Sequence, residues 1–188
     1  MVDWPRIAHC FDRRRVDYLI VGGVGAQLYG ATRPTSDFDS VPARSAENLS
    51  RLAAAMRELN AYLRVAGLSD EDARSLPMEL DATTLASLDI STWRTDAGDL
   101  DILTTIPTGS GGRALYEQLL PRAERFEVDS VPVYVAALGD IIASKESADR
   151  PKDREALDEL RRIRDDGGPS ADPDPGPLRH AEGTEVSE

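Results

Sequence analysis

The sequence is poor in cysteine, histidine and aromatic residues, and each shortage excludes a class of protein. A single cysteine, Cys10, leaves no internal disulfide to form. With only His9 and His180 beside it, no zinc site built from Cys and His can be assembled. Aromatic residues make up 5% of the chain, so few platforms exist on which a nucleic-acid base could stack, and Trp93 is the best candidate.

Long apolar runs are also missing. No stretch approaches the roughly 20 apolar residues of a membrane-spanning helix, and the first residues, MVDWPRIAHC, lack the apolar segment of a signal peptide. We therefore expect a cytoplasmic protein with no membrane partner. The length of 188 residues and the hydrophobic content of 40% predict one globular domain with a real core.

Positive charge is scarce but unevenly distributed. The net charge of -12 disfavours a nucleic-acid partner, because binding a polyanion requires a basic surface. Residues 167–188 are rich in Pro, Gly, Asp and Glu without apolar periodicity, and we predict a disordered acidic tail there. Residues 140–164, in contrast, hold seven of the 22 basic residues, including both lysines of the chain, Lys145 and Lys152. A local basic face is therefore compatible with an RNA partner.

The chain is organised around residues 18–41, YLIVGGVGAQLYGATRPTSDFDSV. The pattern predicts a buried strand (19–21), a Gly22-Gly23 turn, a short helix (24–29) and a second strand with Asp37 and Asp39 on one face. Two neighbouring carboxylates repel each other unless a cation lies between them, which favours bound Mg²⁺. The diglycine lets the backbone approach a ligand, and the helix start offers N–H groups to a phosphate. Taken singly, each of these two features has a simpler explanation. The diglycine could be only a tight turn, and the Asp37–Asp39 pair could lie on a solvated strand face.

The combination of these two features resembles the signature of the nucleotidyltransferase superfamily related to DNA polymerase beta. That signature is glycine followed by glycine or serine, a helix, and then Asp-x-Asp or Asp-x-Glu. In more detail, GGVGAQLYGATRPTSDFD is similar to the AbiEii-like and MenT-like toxins of toxin–antitoxin systems, in which an Arg and a hydroxyl residue precede the first Asp. Gly23 stands where many members have serine, so backbone contacts to phosphate are retained and a side-chain contact is not.

Later elements follow from periodicity and turn signals. We predict an N-terminal helix (3–15), a helix over 46–59 and a short strand (61–65). Over residues 80–105 the pattern indicates strands, with a hairpin of 88–95 and 100–105 around the turn 96–99. Further predictions are a link at 109–112, a helix over 113–120, a hairpin around Asp129-Ser130, a helix over 138–148 and a last amphipathic helix. The fold class is α/β, a small mixed β-sheet flanked by helices, with a mostly helical C-terminal part. The domain covers residues 1–166, with its core at 16–106 and its C-terminal part at 107–166.

A third carboxylate is predicted on the second strand of the first hairpin. An acid on a core-directed face must be paired or bound to metal, which favours Asp101. Asp99 is the alternative, less favoured because it lies nearer the turn, where an acid serves as a solvated cap. The resemblance implies a third acid on a neighbouring strand at this point. Asp37, Asp39 and Asp101 are therefore the predicted metal ligands, for Mg²⁺ or Mn²⁺.

The segment SKESADRPKDREALDEL resembles the later motifs of the same toxins, a Lys followed downstream by Arg-x-Lys-Asp. The resemblance implies that Lys145 and Asp153 belong to the active site, with Lys152 and Arg150 as weaker phosphate or RNA contacts. Two alternatives remain: Lys145 extends its amine from an apolar helix face to solvent, and Asp153 is an acid favoured by its position in the first turn of a helix.

Together these features predict a metal-dependent nucleotidyltransferase that uses an NTP as substrate. Gly22, Gly23, Arg33 and Lys152 are its predicted phosphate-binding residues. The resemblance implies a toxin that transfers NMP to an RNA 3′ end, in particular the tRNA acceptor stem, and that a cognate antitoxin restrains. It also implies control by phosphorylation at Thr35 or Ser36. Transfer to a protein or to a small molecule such as an antibiotic, and a catalytically inactive binding module, are the alternatives.

Overall fold

The computed structural model describes residues 2–109 and 111–167, and for Lys152 only the backbone. Its strands are β1 (Tyr18–Ile20), β2 (Asp37–Pro42), β3 (Tyr62–Leu63), β4 (Ile90–Thr95), β5 (Gly98–Leu103), β6 (Ile106–Pro107), β7 (Arg113–Ala114), β8 (Glu124–Val128) and β9 (Val131–Val135). Its helices are α1 (Trp4–Arg13), α2 (Gly22–Leu28), α3 (Ala46–Glu58), α4 (Asp70–Arg74), α5 (Ala82–Ser87), α6 (Tyr116–Leu119), α7 (Leu138–Ala148) and α8 (Pro151–Asp165). Except for Gly167, the predicted acidic tail lies outside the described residues.

Seven of these strands form one mixed sheet in the order β3-β4-β5-β2-β1-β9-β8. Neighbouring strands of this sheet run antiparallel, except for two parallel pairs, β2 with β5 and β1 with β9. Strands β6 and β7 form a separate two-stranded ribbon. The α/β class with a mixed sheet and flanking helices is confirmed. None of the helices in the described part is long and apolar enough to cross a membrane.

The packing of one aromatic residue orients the central strand β2. Phe38 is fully buried, and its ring meets the ring of Phe11 from α1 edge to face with centroids 6.2 Å apart. Successive side chains of a strand point to opposite faces, so burial of Phe38 turns Asp37 and Asp39 to the other face. The hydrophobic core thus determines where the two carboxylates point.

Two of the longer helices, α1 and α3, begin at a capping side chain. The Asp3 side chain accepts a hydrogen bond from the Arg6 N–H and begins α1, and Ser45 does the same for α3 through Asn48. Helix α7 has its predicted bounds. In the β8–β9 hairpin Asp129 and Ser130 have φ of 47° and 67°, as a tight two-residue turn between antiparallel strands requires.

Three predicted segments differ in the structure. Residues 113–120 do not form one helix, because Arg113 and Ala114 pair with β6 and α6 starts only at Tyr116. Residues 82–87, expected within a run of strands, form α5, since Asp81 caps the N–H of Thr84. Strand β5 begins at Gly98 rather than Leu100, so its turn with β4 consists of residues 96–97 alone.

Trp93 is a core residue and not a surface platform. Its side chain is 1% exposed, and its Nε1–H donates to the Ser91 hydroxyl at 2.8 Å. The ring is therefore unable to stack on a nucleic-acid base, and the expectation from its residue type is wrong.

Candidate active site

Two parallel strands bring the predicted carboxylates together. In the register of β2 with β5, Asp39 lies opposite Asp101 and Asp37 lies opposite Asp99. Paired residues of neighbouring strands share a face of the sheet, so all four acids start on the face away from Phe38.

A cleft of about 590 Å³ covers this face of the sheet. Its wall includes eleven of the residues singled out from the sequence: Gly22, Gly23, Arg33, Thr35, Ser36, Asp37, Asp39, Asp101, Lys145, Arg150 and Asp153. They come from α2, the 30–36 loop, two strands, and the last two helices with the link between them. The side chain of Lys152, the remaining predicted phosphate contact, lies outside the described part of the chain.

Asp99 and Asp101 have different surroundings although they lie on one strand. Asp99 accepts from Arg64 at 3.2 Å and from Arg94 at 3.1 Å, and it does not line the cleft. Asp101 lines the cleft and has no arginine partner among the described residues. The placement therefore favours Asp101 over Asp99 as the third carboxylate of the site.

Burial and mutual repulsion disfavour ionisation of the clustered acids. Burial, reinforced by the negative charges of Asp37 and Asp101, raises the pKa of Asp39 to about 7, against the lowering effect of the Gly23 N–H and Lys145. Burial likewise raises the pKa of Asp101, although a hydrogen bond from Thr92 opposes this. A cation between the carboxylates would remove the repulsion.

The residues present fit a hard divalent cation by two observations. All three acids offer oxygen ligands, and Oδ1 of Asp101 is buried without a hydrogen-bond partner in the described structure. Among residues 2–109 and 111–167, no group of three or more His, Cys, Asp or Glu side chains is already arranged as a metal site. The three acids thus supply suitable oxygen ligands from two adjacent strands. Their side chains would have to rotate to bind the same cation.

The diglycine is part of the helix rather than a turn before it. Helix α2 starts at Gly22, whose φ is +63°, and has only seven residues. A Cβ on Gly22 would lie 2.5 Å from Cγ of Asp39, and one on Gly23 would lie 2.6 Å from Cβ of Thr35. The lack of side chains here therefore allows Asp39 and Thr35 to lie against the backbone beside the cleft.

The 30–36 loop is attached to α8 by polar contacts. Arg33 donates to Glu155 at 2.6 Å, and the N–H and hydroxyl of Thr32 both donate to Glu159, at 2.9 and 2.8 Å. In the same loop the Thr35 hydroxyl donates to Oδ1 of Asp37 at 2.7 Å. Arg33 thus lines the cleft while it is paired with an acid.

Lys145 and Asp153 meet across α7 and α8. Asp153 is 1% exposed, and its carboxylate lies 3.5 Å from the Lys145 amine and 2.6 Å from Nε of Arg150. Burial favours the protonated acid, but the two cations outweigh it and lower the pKa of Asp153. The structure therefore brings these two sequence-predicted residues together as an ion pair at the wall of the cleft.

Several residues that line the cleft were not predicted from the sequence, among them Ile90, Arg113 and Glu159. Ile90 is an apolar residue with 60% of its surface exposed, which no periodicity in a strand reveals. Arg113 depends on the β6–β7 pairing, and Glu159 on the contact of α8 with the 30–36 loop. No local pattern marks any of them.

Comparison with known proteins reveals similarity in fold and little in sequence. No protein-family model matches the chain, and no curated protein sequence does. The fold is similar to a lincosamide antibiotic adenylyltransferase solved with lincomycin, with a TM-score of 0.57, 13% identity and coverage of 86% of this chain and 96% of that one.

It is also similar to ANT(2″)-Ia, an antibiotic-resistance factor. The solution structure gives a TM-score of 0.54 at 15% identity, covering 88% of this chain and 83% of that one. The crystal structure with adenylyl-2″-tobramycin gives 0.51 at 16% identity, covering 86% and 92%. The chain therefore has the nucleotidyltransferase fold over most of its described length.

Proposed function

We propose that this protein is a metal-dependent nucleotidyltransferase. The observation that carries the proposal is the convergence of Asp37, Asp39 and Asp101 from adjacent parallel strands in one cleft with the Gly22-Gly23 backbone. The nucleotidyltransferase fold of the structural neighbours supports it. Three acids without arginine partners facing a cleft are poorly explained as structural residues, because buried charges without partners are costly.

Asp37, Asp39 and Asp101 would hold Mg²⁺ or Mn²⁺. The ion would neutralise charge on the triphosphate and lower the pKa of the attacking hydroxyl. Within this chain the Gly22-Gly23 backbone lines the cleft next to Asp39, where it would contact phosphate oxygens, and Lys145 supplies positive charge at the wall of the cleft. Arg33 would contribute a second cation by exchanging its pairing with Glu155 for a phosphate.

The reaction is an in-line displacement. The acceptor hydroxyl oxygen forms a bond to the α-phosphorus of the NTP, the bond to the bridging oxygen of the β-phosphate breaks, and pyrophosphate leaves. Asp101 would accept the hydroxyl proton, because its carboxylate lines the cleft and has no arginine partner among the described residues. Lys145 neutralises the charge that develops on the leaving group.

The acceptor proposed is an RNA 3′ end, in particular the tRNA acceptor stem, which would make the protein a toxin that blocks translation and is held in check by an antitoxin. The resemblance of GGVGAQLYGATRPTSDFD and SKESADRPKDREALDEL to the AbiEii-like and MenT-like toxins supports this. Phosphorylation of Thr35 or Ser36 is the proposed control, since both residues line the cleft beside Asp37.

A small-molecule hydroxyl is the second candidate acceptor. It is supported by the fold of two antibiotic-modifying proteins and by the similar size of the lincosamide enzyme, 96% of which this chain covers. The net charge of -12 also favours a cationic acceptor over a polyanion.

One assay separates these functions. The full chain is incubated with Mg²⁺ and each labelled NTP in turn, against total tRNA, a lincosamide, an aminoglycoside, a protein mixture and no acceptor. Label in the tRNA supports the RNA proposal, and label in an antibiotic supports the second candidate. Asp39→Asn is the control that must lose the label. Absence of transfer to every acceptor would refute nucleotidyl transfer and favour the inactive binding module.

A further inference from the structure

The cations of the cleft differ in their partners. Among the described residues four basic side chains line it, and three of them are paired with acids: Arg33 with Glu155, and Lys145 and Arg150 with Asp153. Arg113 is the fourth, and it has no ion pair with any described residue. An unpaired guanidinium beside a cleft is available to an anion of a ligand.

Arg113 is also held in place. Its Nε–H donates to the Thr105 hydroxyl and one terminal nitrogen to the Thr105 carbonyl, both at 2.7 Å. These bonds use two of the five N–H groups of the guanidinium and leave the others for a ligand. The side chain is exposed, and it stands on the β6–β7 ribbon, where it lies opposite Pro107. The charge is therefore presented in a defined position rather than on a free surface chain.

An apolar patch lies on the same side of the cleft. Leu103 follows Asp101 by two residues on β5, so the two share a face about 6.6 Å apart along the strand. Ile90 pairs with Leu103 from β4 and is 60% exposed, which is unusual for a large apolar residue. Pro107 lines the cleft beside them. Exposed apolar surface next to a row of carboxylates indicates contact with a flat or apolar part of a ligand.

We infer that Ile90, Leu103, Pro107 and Arg113 form an acceptor subsite, and that the acceptor is the 3′ end of an RNA strand. The terminal base would lie against Ile90 and Leu103, and a backbone phosphate would pair with Arg113. This inference rests on the proposed nucleotidyl transfer to an RNA 3′ end and names the residues that would bind that acceptor. A polycationic antibiotic fits this part of the cleft poorly, because its amines would meet the guanidinium of Arg113.

Location supports the assignment to the acceptor rather than to the NTP. The subsite adjoins Asp101, the carboxylate proposed to take the proton of the attacking hydroxyl, whereas the proposed triphosphate contacts come from α2, the 30–36 loop and α7. The acceptor would then lie beside Asp101, on the β5 side of the carboxylates, and the triphosphate beside α2, on the β1 side. Variants of the subsite should weaken RNA binding and leave NTP binding unchanged.

The test measures binding as well as turnover. A fluorescent single-stranded RNA of five nucleotides is titrated into the full chain without NTP, and a non-hydrolysable NTP analogue is titrated separately with Mg²⁺. Arg113→Gln should weaken RNA affinity about tenfold, and the slope of log affinity against log salt should become shallower by about 0.7, as expected for one phosphate contact. Ile90→Ser should weaken RNA affinity without changing that slope. Affinity for the NTP analogue should stay the same in both.

Matched controls lie elsewhere on the surface. Arg6→Gln removes an exposed arginine from α1, and Leu68→Ser removes an apolar residue that is 42% exposed, and neither residue lines the cleft. Equal RNA affinity in Arg113→Gln and Arg6→Gln would overturn the inference. RNA that fails to bind while an antibiotic is adenylylated would overturn it too and leave nucleotidyl transfer standing. No transfer to any acceptor, with RNA binding dependent on Arg113, would refute the catalytic proposal alone.

Discussion

The Thr35 hydroxyl donates a hydrogen bond of 2.7 Å to Oδ1 of Asp37, across a distance of only two residues in the chain. The bond uses one oxygen of a proposed metal ligand and fixes its rotamer. Thr35 lies outside β2, so the loop rather than the strand orients this side chain. The 30–36 loop is in turn attached to α8, and the orientation of Asp37 therefore depends on the C-terminal helices as well as on the sheet.

Charge at Thr35 should block the cleft, whereas loss of its hydroxyl should not. Thr35→Glu places a carboxylate beside Asp37, and we expect nucleotidyl transfer to fall at least 100-fold. Thr35→Val loses one hydrogen bond to a charged group and should retain activity within about tenfold of wild type. A phosphate would add about -1.5 to -2 charges at the same place. The measurement is kcat/KM for the NTP, and wild-type rates in Thr35→Glu would rule out control at this residue.

Gly23 and Thr35 should behave as one packing unit. A Cβ on Gly23 would lie 2.6 Å from Cβ of Thr35, closer than real contacts allow. We expect Gly23→Ala to lower the free energy of unfolding by about 1–3 kcal/mol through overpacking. The double variant Gly23→Ala with Thr35→Gly should be less destabilised than the sum of the two single variants, as a denaturant-based double-mutant cycle would measure.

Gly139 supplies the control for that cycle. It lies within α7, and a Cβ added there meets no atom within 4 Å. Gly139→Ala should therefore stabilise the protein by about 0.5–1 kcal/mol, the difference in helix propensity. Additive effects of Gly23→Ala and Thr35→Gly would show that the two residues do not share space.

Much of the scaffold of the site could be predicted because its causes are local. The alternation of Phe38 with Asp37 and Asp39 is a property of one strand, and the apolar spacing of α7 is a property of one helix. The same reasoning failed for residues 113–120, where pairing with β6 outweighs helix propensity over two residues. Residues 82–87 likewise form a helix within a stretch where strands were expected, since Asp81 caps the start of α5.

The sequence favoured Asp101 over Asp99 as the third carboxylate but left Asp99 as an alternative, because the surroundings of the two acids depend on distant residues. Arg64, directly after β3, and Arg94 of β4 pair with Asp99, whereas Asp101 faces the cleft without an arginine partner among the described residues. Arg113 is a similar case, since its place in the cleft results from the β6–β7 ribbon. The catalytic and metal-binding roles of the predicted residues remain predictions, which the variants described here test.

Removal of the Asp39 carboxylate should abolish transfer and change how stability depends on pH. The pKa of Asp39 is about 7 in the fold, against about 3.9 in an unfolded chain, so the folded state favours the protonated acid. Without metal, wild-type stability should therefore decline as pH rises from about 4 to about 7, by at most about 1.4 kcal/mol per pH unit, and level off above. The asparagine in Asp39→Asn cannot ionise, so the part of this pH-dependent loss of stability that comes from Asp39 should be absent in the variant.

Thermal unfolding in EDTA across this pH range provides the measurement. The stability of Asp39→Asn relative to wild type should increase from pH 4 to pH 7. Added Mg²⁺ should stabilise wild type and not the variant, because ligand binding to the folded state alone raises its stability. Parallel pH curves for the two proteins would contradict the repulsion argued for this cluster.

The last prediction separates a role in the cleft from a role in stability for Asp153. This acid is almost fully buried and pairs with Lys145 and Arg150, so Asp153→Asn leaves two cations without their partner. We expect a loss of about 1–3 kcal/mol in the free energy of unfolding, since Arg150 is itself largely exposed. Because Lys145 would no longer be held at the wall of the cleft, KM for the NTP should also rise, about tenfold.

Asp140 allows the two effects to be distinguished. It is 6% exposed and pairs with Arg122 at 2.6 Å, which matches the burial and ion pairing of Asp153, but it does not line the cleft. Asp140→Asn should therefore cost a similar amount of stability and leave KM for the NTP unchanged. If both variants have the same KM, the ion pairs of Asp153 contribute to stability and not to binding of the NTP. If only Asp153→Asn raises KM, Asp153 contributes to substrate binding through the position of Lys145.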